Sequence, residues 1–285
     1  MDNNDFNRLA EELAAGFLHT TALLGNVVAS LEHWHEGSHS SFVAHKAGAM
    51  ARLLGMNAAE IVEIETAGLL HDIGKVGLPD AIAAKVQAEL TDEEFRIYAA
   101  HPEHGRRILS AHPHFDTIGE IIAQHHERYD GAGFPAKLRG GQIHRGATLI
   151  AVADYYHNAM HRKHPGRSGQ SFIPGSGEQY LRATQSRFAN VMNALHSRSG
   201  RWFPADAVEA FTSIIESERR ALGIRTVMRL AANQLKPGLM FAEDYYASYG
   251  LLLAARGEPV TEGNLPRIMQ LAETGELPQK ILVMH

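Results

Sequence analysis

The segment AAEIVEIETAGLLHDIGK, residues 58–75, has the pattern of a buried helix that ends in two polar side chains. Its apolar face is formed by residues at helical spacing, namely Ile61, Ile64, Leu69 and Leu70. Asn57, just before the segment, is a favoured N-cap residue. His71 and Asp72 follow the apolar run directly, and a buried carboxylate without a partner costs many kcal/mol. Asp72 therefore needs a partner.

Other apolar runs also end in, or contain, imidazole and carboxylate groups: GSHSSFVA with His39, IGEIIAQHHE with His125 and His126, and TLIAVADYY with Asp154. His101 opens the turn HPEHG and adds another imidazole. Taken singly, each histidine is more often a hydrogen-bonded core residue than a ligand, and Asp154 could be a buried cap or salt-bridge partner. For the groups taken together, a divalent metal is the strongest partner available. Neighbouring helical residues lie about 100° apart, so the two members of an adjacent pair can reach different ions.

The composition limits what kind of site this chain can build. Among 285 residues there are 18 histidines and no cysteine, which excludes disulfides and thiolate ligands and leaves imidazole and carboxylate. A net charge of −5 gives no reason to expect DNA or anionic membrane as a partner. The polar start MDNNDFNRLAEEL is not a signal peptide, and no apolar run approaches the roughly 20 residues of a membrane span. We expect a cytoplasmic protein.

The periodicity predicts an all-α domain over residues 1–223 and a small mixed α/β appendage over residues 224–285. In the first domain we expect helices over residues 5–34, 41–56, 58–74, 91–111, 116–127, 146–160 and 210–223. Thr91 is the expected N-cap of the fourth helix, and residues 163–178 form a connection rich in Gly, Ser and Pro. In the appendage, YYASYGLLLA predicts a hairpin around Gly250, and KILVM predicts a closing strand.

Four blocks occur in an order that resembles the HD superfamily of metal-dependent phosphohydrolases, and its HD-GYP branch in particular. They are HDIGKVGLPD at 71–80, HPEHG at 101–105, HHERYDGAGFP at 125–135 and VADYY at 152–156. GRWFPADAVEAF at 200–211 is similar to the closing helix of these domains, and Phe134 stands where the name-giving tyrosine is usual. The resemblance covers roughly residues 20–220 and implies an HD-type helical fold.

The resemblance also implies a metal centre with a defined ligand set. Its members would be His39, His71, Asp72, His101, His125, His126 and Asp154. Asp72 would bridge two ions, and iron is the implied metal, with manganese as the alternative. Some members of the branch hold a third ion through an acidic residue one turn before the first histidine. His35 occupies that position here, with Glu32 and Glu36 nearby.

The implied activity is hydrolysis of cyclic di-GMP to pGpG, and onward to GMP, by a water activated between ions about 3.5–4 Å apart. Asp72 and Lys75 would be the catalytic residues; the alternative for Lys75 is an ordinary surface lysine. Lys163 matches a basic residue that grips the substrate phosphates. Gly131 and Gly133 would permit close backbone approach to the ligand, or would simply form a turn.

Besides Phe134, the sequence departs from the branch at three places outside the ligand set. Phe42 stands where an arginine commonly follows the first histidine, and His157 where an aspartate usually follows Asp154. Gly166 falls where a second phosphate-binding residue is expected. Arg162 and Arg167 can still supply positive charge there, or belong to a solvated basic loop. These changes weaken the case for cyclic di-GMP in particular and leave related cyclic dinucleotides such as cyclic GMP-AMP open.

Three functions therefore compete. A phosphodiesterase is favoured by the complete ligand set, and a catalytically weak cyclic-dinucleotide receptor or scaffold by the altered phosphate-binding region. A mononucleotide hydrolase fits the wider superfamily but not the block HHERYDGAGFP. The expected protein partner is a signalling protein such as a diguanylate cyclase of the GGDEF type. A homodimer, with docking as one role for the appendage, is a further expectation.

Overall fold

The computed structural model describes residues 3–32, 35, 38–161, 177–221, 227–242, 245–246, 252–254, 258–278 and 280–284. The chain divides into two compact units, one of residues 1–173 and 191–214, the other of residues 174–190 and 215–285. The predicted class, a helical domain with a small C-terminal α/β appendage, is confirmed. The predicted domain boundary at residue 223 stays a prediction. No helix in the described ranges is long and apolar enough to cross a membrane.

Helices make up the first part of the chain. In chain order they are α1 (Asn3–Leu31), α2 (His39–Leu53), α3 (Ala58–Leu70), α4 (Asp80–Ala83), α5 (Asp92–Tyr98), α6 (His101–Leu109), α7 (Asp116–Gln124), α8 (Arg145–His161), α9 (Gly177–His196) and α10 (Ala205–Ala221). Short 3-10 turns lie between them at Ile73–Lys75, Gln87–Glu89, Pro113–Phe115 and Gly140–Gln142. The predicted third helix thus ends earlier than expected, at Leu70, and a 3-10 turn carries the rest of the block. Helix α9 was missing from the prediction.

The core of the first unit lies where α2, α3 and α8 meet. Their fully buried side chains include Val43 and Met50 from α2, Ile64 and Leu70 from α3, and Leu149 and Ile150 from α8. Gly68 lets α2 and α3 approach closely, because a Cβ there would overlap the backbone of Ala44. Close packing of these side chains holds the ends of the three helices in fixed positions relative to one another.

Two of the helix starts predicted from the sequence are confirmed by capping hydrogen bonds. Asn57 Oδ1 accepts from the backbone N–H groups of Ala59 at 2.9 Å and Glu60 at 3.0 Å, and Glu60 closes the capping box. Thr91 caps α5 in the same way through Glu94. Each cap satisfies N–H groups that the first helical turn leaves free.

The single helix expected over residues 91–111 is wrong, because the chain breaks between α5 and α6. Pro102 has no N–H to donate to the carbonyl of Tyr98, four residues earlier. That carbonyl accepts instead from Nδ1 of His101, at 2.7 Å. The break therefore frees the backbone group that orients His101.

The second unit contains two small antiparallel sheets. Strands β1 (Val227–Ala231), β5 (Lys280–Met284) and β2 (Met240–Phe241) pair in the order β1-β5-β2, with KILVM as the central strand. Strands β3 (Tyr245–Tyr246) and β4 (Leu252–Ala254) form the predicted antiparallel pair, and residues 247–251 between them lie outside the described residues. The buried core includes Phe241, Ile281 and Val283, together with Ile268 of α11 (Leu265–Glu273).

Candidate metal centre

The candidate ligands lie at helix ends, except for Asp154, which lies within α8. His71 and Asp72 follow α3, and His125 and His126 follow α7. The remaining two are the first residues of helices, His39 of α2 and His101 of α6. All seven residues proposed from the sequence as ligands therefore come from helices or their immediate ends.

The first group consists of His39, His71 and Asp154, whose ligand atoms lie within 4.8 Å of one another. Nε2 of His39 is 3.2 Å from Nε2 of His71 and 3.2 Å from Oδ1 of Asp154. Neither histidine has any exposed side-chain surface. Three buried side chains from α2, α8 and the end of α3 thus point at one small volume.

The second group consists of His101, His125 and His126, also with ligand atoms within 4.8 Å of one another. Nε2 of His101 is 3.4 Å from Nε2 of His125. Asp72 lies between the two groups, because Oδ1 is 3.6 Å from Nε2 of His101 and Oδ2 is 3.6 Å from Nε2 of His71. This is the arrangement expected of a bridging carboxylate.

Backbone carbonyls determine which nitrogen of three imidazoles faces the centre. In each case Nδ1 lies at hydrogen-bond distance from the carbonyl oxygen three residues earlier, in the pairs His71–Gly68 at 2.8 Å, His101–Tyr98 at 2.7 Å and His125–Ile122 at 2.6 Å. Carbonyls in the last turn of a helix have no intrahelical partner and are free to accept. A proton held on Nδ1 leaves the lone pair on Nε2, directed towards the other ligands.

This donor set fits a divalent cation. Lone pairs of facing Nε2 atoms and carboxylate oxygens repel one another at these distances unless a positive charge lies between them. Oδ1 of Asp72 is buried and has no hydrogen-bond partner among the described residues. A shell of imidazole and carboxylate without sulfur suits iron, manganese or zinc rather than a soft metal. The His and Asp groups of this chain can therefore hold divalent metal.

The carboxylates shift the protonation of the first group. Burial opposes a charge on His71, but the carboxylates of Asp72 and Asp154 outweigh burial and raise the pKa of His71 to about 9. Burial also disfavours the charged carboxylates, yet His71 and Lys75 hold the pKa of Asp72 well below its ordinary value. His39 and His71 lower the pKa of Asp154 in the same way. In the metal-free protein, His71 is thus protonated at neutral pH, and its positive charge faces the carboxylates of Asp72 and Asp154.

The second group is held neutral. Burial, followed by the charge of His71, lowers the pKa of His125 to about 4. Burial and Lys75 lower the pKa of His101 well below 6.5, and burial with His125 does the same for His126. These three imidazoles consequently offer free lone pairs at neutral pH without first losing a proton.

Lys75 is part of this centre rather than a surface side chain. Its Nζ donates to Oδ2 of Asp72 at 2.6 Å and lies 5.6 Å from the centre of the Tyr98 ring. The side chain is only 18% exposed and is therefore largely buried against the carboxylate. The 3-10 turn after α3 places it there.

His35 lies beside the first group. Its ring stacks on His39 with centroids 4.1 Å apart, and Nε2 donates to Oδ1 of Asn158 at 2.9 Å. The amide of Asn158 in turn donates to Oδ1 of Asp154 at 2.6 Å. With His39 and His157, His35 forms a third cluster whose ligand atoms lie within 4.8 Å of one another.

Glu32 has a different role from the acidic ligand considered beside His35. Its two carboxylate oxygens accept from the backbone N–H of His39 at 3.1 Å and of Ser40 at 2.6 Å. The side chain therefore satisfies the first N–H groups of α2 and carries its charge at the positive end of the helix. Glu36 lies outside the described residues.

The loop after His126 is held by its own backbone. Gly131 has φ of +80°, as the sequence allowed. At Gly133 a Cβ would overlap the backbone of Glu127 and Arg128, so the close approach seen there is to the chain itself. Glu127 accepts from the N–H groups of residues 136 and 138 at 2.6 and 3.0 Å. Contact of Gly131 and Gly133 with the substrate stays a prediction.

Other residues of the site were not identified from the sequence. His157 and Asn158 lie one turn after Asp154, so helical spacing alone places them beside it. Gly74 allows the 3-10 turn to contact α6, because a Cβ there would overlap the carbonyl of His101. Lys163, with Arg162, Gly166 and Arg167, lies outside the described residues.

The chain is similar in sequence to one protein family and to several characterised proteins. The sequence profile described as HD domain matches residues 23–173. The cyclic di-GMP phosphodiesterase response regulator RpfG of Xanthomonas campestris pv. campestris is 39% identical over 128 residues, which is 43% of this chain and 34% of the relative. A cyclic di-GMP phosphodiesterase of Thermotoga maritima is 32% identical over 200 residues, 70% of this chain and 50% of the relative.

A solved structure of a cyclic GMP-AMP-specific phosphodiesterase of Vibrio cholerae, V-cGAP3, superimposes with a TM-score of 0.50 and 14% identity. The match covers 72% of this chain and 50% of that one, and it shows a shared fold. The chain spans between a third and a half of the length of the two sequence relatives.

Proposed function

The chain belongs to the HD domain family, in its HD-GYP branch, and from this we propose that it is a metal-dependent phosphodiesterase that hydrolyses cyclic di-GMP to pGpG. Two relatives with 39% and 32% identity are named cyclic di-GMP phosphodiesterases, and two others with 36% and 33% identity are named 3'3'-cGAMP-specific phosphodiesterases, so the names support a cyclic dinucleotide substrate, of which we propose cyclic di-GMP. Further hydrolysis to GMP is part of the proposal.

One observation carries the proposal. Two groups of three ligands each meet at Asp72, with Nε2 of His71, His101 and His125 directed into the shared volume. A fold that needed these histidines only for packing would pair each Nε2 with a donor. Their arrangement supports two adjacent divalent ions instead.

We propose iron for the centre, with manganese as the alternative, because the resemblance to the HD-GYP branch implies these metals and both accept imidazole and carboxylate ligands. His39, His71 and Asp154 would hold one ion, and His101, His125 and His126 the other, with Asp72 between them. His35 is the candidate ligand for a third ion. Its Nδ1 is buried without a hydrogen-bond partner among the described residues, which supports that role.

Bound divalent ions supply Lewis-acid charge at the phosphodiester and lower the pKa of a water molecule. The protein's own contribution comes from two side chains. Asp72 holds a fixed negative charge between the groups, and Lys75 holds an ammonium against it at 2.6 Å. We propose that the Lys75 ammonium stabilises the negative charge of a phosphoryl oxygen of the substrate. We further propose that Lys163, Gly131 and Gly133 contact the substrate.

The test is purification without oxygen, metal analysis, and incubation with cyclic di-GMP followed by separation of the products. The wild-type protein should contain at least two ions per chain and produce pGpG. Asp72→Ala should abolish metal binding and the formation of pGpG, because it removes the carboxylate shared by the two sites. Asp80→Asn, which changes an exposed carboxylate in α4, is the matched control and should retain metal and activity.

Two outcomes would contradict the proposal. A wild-type protein that binds cyclic di-GMP tightly without forming product would be a receptor, the main alternative. A protein that contains no metal yet hydrolyses cyclic di-GMP would rule out the metal centre as the catalyst. A cytoplasmic location, a homodimer and a partner of the GGDEF type stay predictions.

A further inference from the structure

The histidines of the centre differ in how their outer nitrogen is held. His71, His101 and His125 each have Nδ1 next to a backbone carbonyl three residues earlier. Two of them follow the C-terminus of a helix, and the third follows the break after α5, where carbonyls have no intrahelical partner. The backbone alone therefore sets the orientation of these rings.

The ring of His39 cannot be oriented by a backbone carbonyl three residues earlier. It is the first residue of α2, and at this end of a helix the free backbone groups are N–H donors rather than carbonyl acceptors. Those donors are already taken by Glu32. An imidazole that binds metal through Nε2 carries its proton on Nδ1, and that N–H needs an acceptor from elsewhere.

The acceptor within reach is His157. Its Nδ1 lies 3.0 Å from Nδ1 of His39, and both rings are buried. His157 follows Asp154 by one turn of α8, so the same helix that brings the carboxylate also brings this imidazole to the far side of His39. The ring of Phe42, 4.8 Å away, packs against His157 and restrains it.

We infer that His157 is a positioning residue of the first group: its Nδ1 accepts the Nδ1–H of His39 and thereby directs Nε2 of His39 to the metal. His157 then does for His39 what backbone carbonyl groups do for His71, His101 and His125. The inference rests on the proposed function, since it takes the first group to be a metal site.

The same contact limits the cluster of His35, His39 and His157. A neutral imidazole has one nitrogen lone pair, so His39 cannot bind an ion of the first group through Nε2 and another ion through Nδ1. If His157 were instead a ligand of a third ion, it would not orient His39, and replacing it would lower the number of ions bound.

The experiment is equilibrium dialysis of the anaerobically prepared, metal-depleted full chain against Mn²⁺, which gives the number and affinity of the bound ions. His157→Leu removes the acceptor and retains similar volume. We expect one of the two sites to lose affinity by about 10- to 100-fold, the usual effect of losing such a partner, while the other site is unchanged. His157→Asn places Oδ1 near the position of Nδ1 and should restore most of the lost affinity.

His161→Leu is the matched control. It makes the same substitution one turn further along α8, at a ring 4.7 Å from His157, and should leave both affinities unchanged. Thermal unfolding of each metal-depleted variant separates loss of a ligand orientation from loss of the fold. Restoration by asparagine would not be expected if His157 served only to fill space or to bind an ion itself.

The inference would be overturned if His157→Leu left both sites unchanged, weakened both equally, or gave the same affinities as His157→Asn. Three ions in the wild type and two in both variants would identify His157 as a ligand instead. A wild-type chain that bound no Mn²⁺ would reject the proposed metal centre and this inference with it, whereas two ions in the wild type with an unaffected leucine variant would reject the inference alone.

Discussion

Nζ of Lys75 lies 2.6 Å from Oδ2 of Asp72, so the one lysine of the centre is bound to the one carboxylate that both ligand groups share. The two residues are three positions apart, across the turn that follows α3. A positive side chain is thereby held beside the place where the metal ions and the substrate phosphate would meet.

Lys75→Met should lower turnover without emptying the site. The change removes a charged donor that we propose contacts a phosphoryl oxygen, and loss of one such donor typically costs on the order of 100-fold in kcat. Metal content should stay within error of the wild type. Lys85→Met is the control, because Lys85 makes a similarly short ion pair with Glu94 in another part of the chain. A Lys75→Met variant with full activity would exclude a catalytic role.

Binding of metal by the first group, which contains His71, should release a proton at neutral pH. The pKa of His71 is raised to about 9, so His71 is protonated in the metal-free protein at pH 7 and must lose that proton to bind. Affinity should rise about tenfold per pH unit up to about pH 9 and level off above it. Calorimetry of Mn²⁺ binding without oxygen, in buffers of different ionisation enthalpy, counts the protons. The count should fall by most of one proton between pH 7 and pH 9.5; a constant count would contradict the raised pKa.

Gly74→Ala should disrupt the contact between the 3-10 turn and α6. The added Cβ would overlap the carbonyl of His101 and the amide of Gly105, and both are backbone atoms that cannot rotate away. We expect a loss of about 1–3 kcal/mol in the free energy of unfolding, and weaker metal binding by the second group. Gly141→Ala introduces a Cβ that meets no atom within 4 Å and should be nearly neutral in both measurements. Equal stability of the two variants would contradict the close approach.

Asn57→Ala should destabilise the chain by about 1 kcal/mol, because it removes the acceptor for two N–H groups at the start of α3. Asn57→Asp retains the acceptor and should stay close to the wild type. Urea unfolding of the metal-depleted protein measures both. If alanine and aspartate gave the same midpoint, the cap would make no contribution to stability.

Helical periodicity predicted the helical class, and the resemblance to the HD-GYP branch implied the seven proposed ligands, which lie close together in the structure. Imidazoles and carboxylates at the ends of apolar helical runs, as at His71 and Asp72, have few stable arrangements other than a shared cation. This pattern is recognisable even though the residues that form the centre are far apart in the sequence. Short apolar runs next to turn residues also predicted the strand pair β3 and β4 and the strand KILVM, whereas β1 and β2 were not predicted.

Two differences from the predicted helices had signals in the sequence, and one feature of the site had none. The break before His101 follows from Pro102, whose effect was underestimated in an otherwise helical run. Helix α9 also had a readable signal, because Phe188, Val191, Met192 and Leu195 recur at helical spacing and are buried. The pairing of His39 with His157 could not be predicted, because it requires knowing how α2 and α8 pack.

The ligand groups also differ in how much of the chain each requires. Asp72, His101, His125 and His126 lie within a single stretch that ends at residue 126, whereas the first group needs both His39 and Asp154. During synthesis from the N-terminus, the second group is therefore complete before α8 has left the ribosome. An ion captured at that stage would join α6 and α7 to the end of α3 and prepare the surface on which the later helix docks.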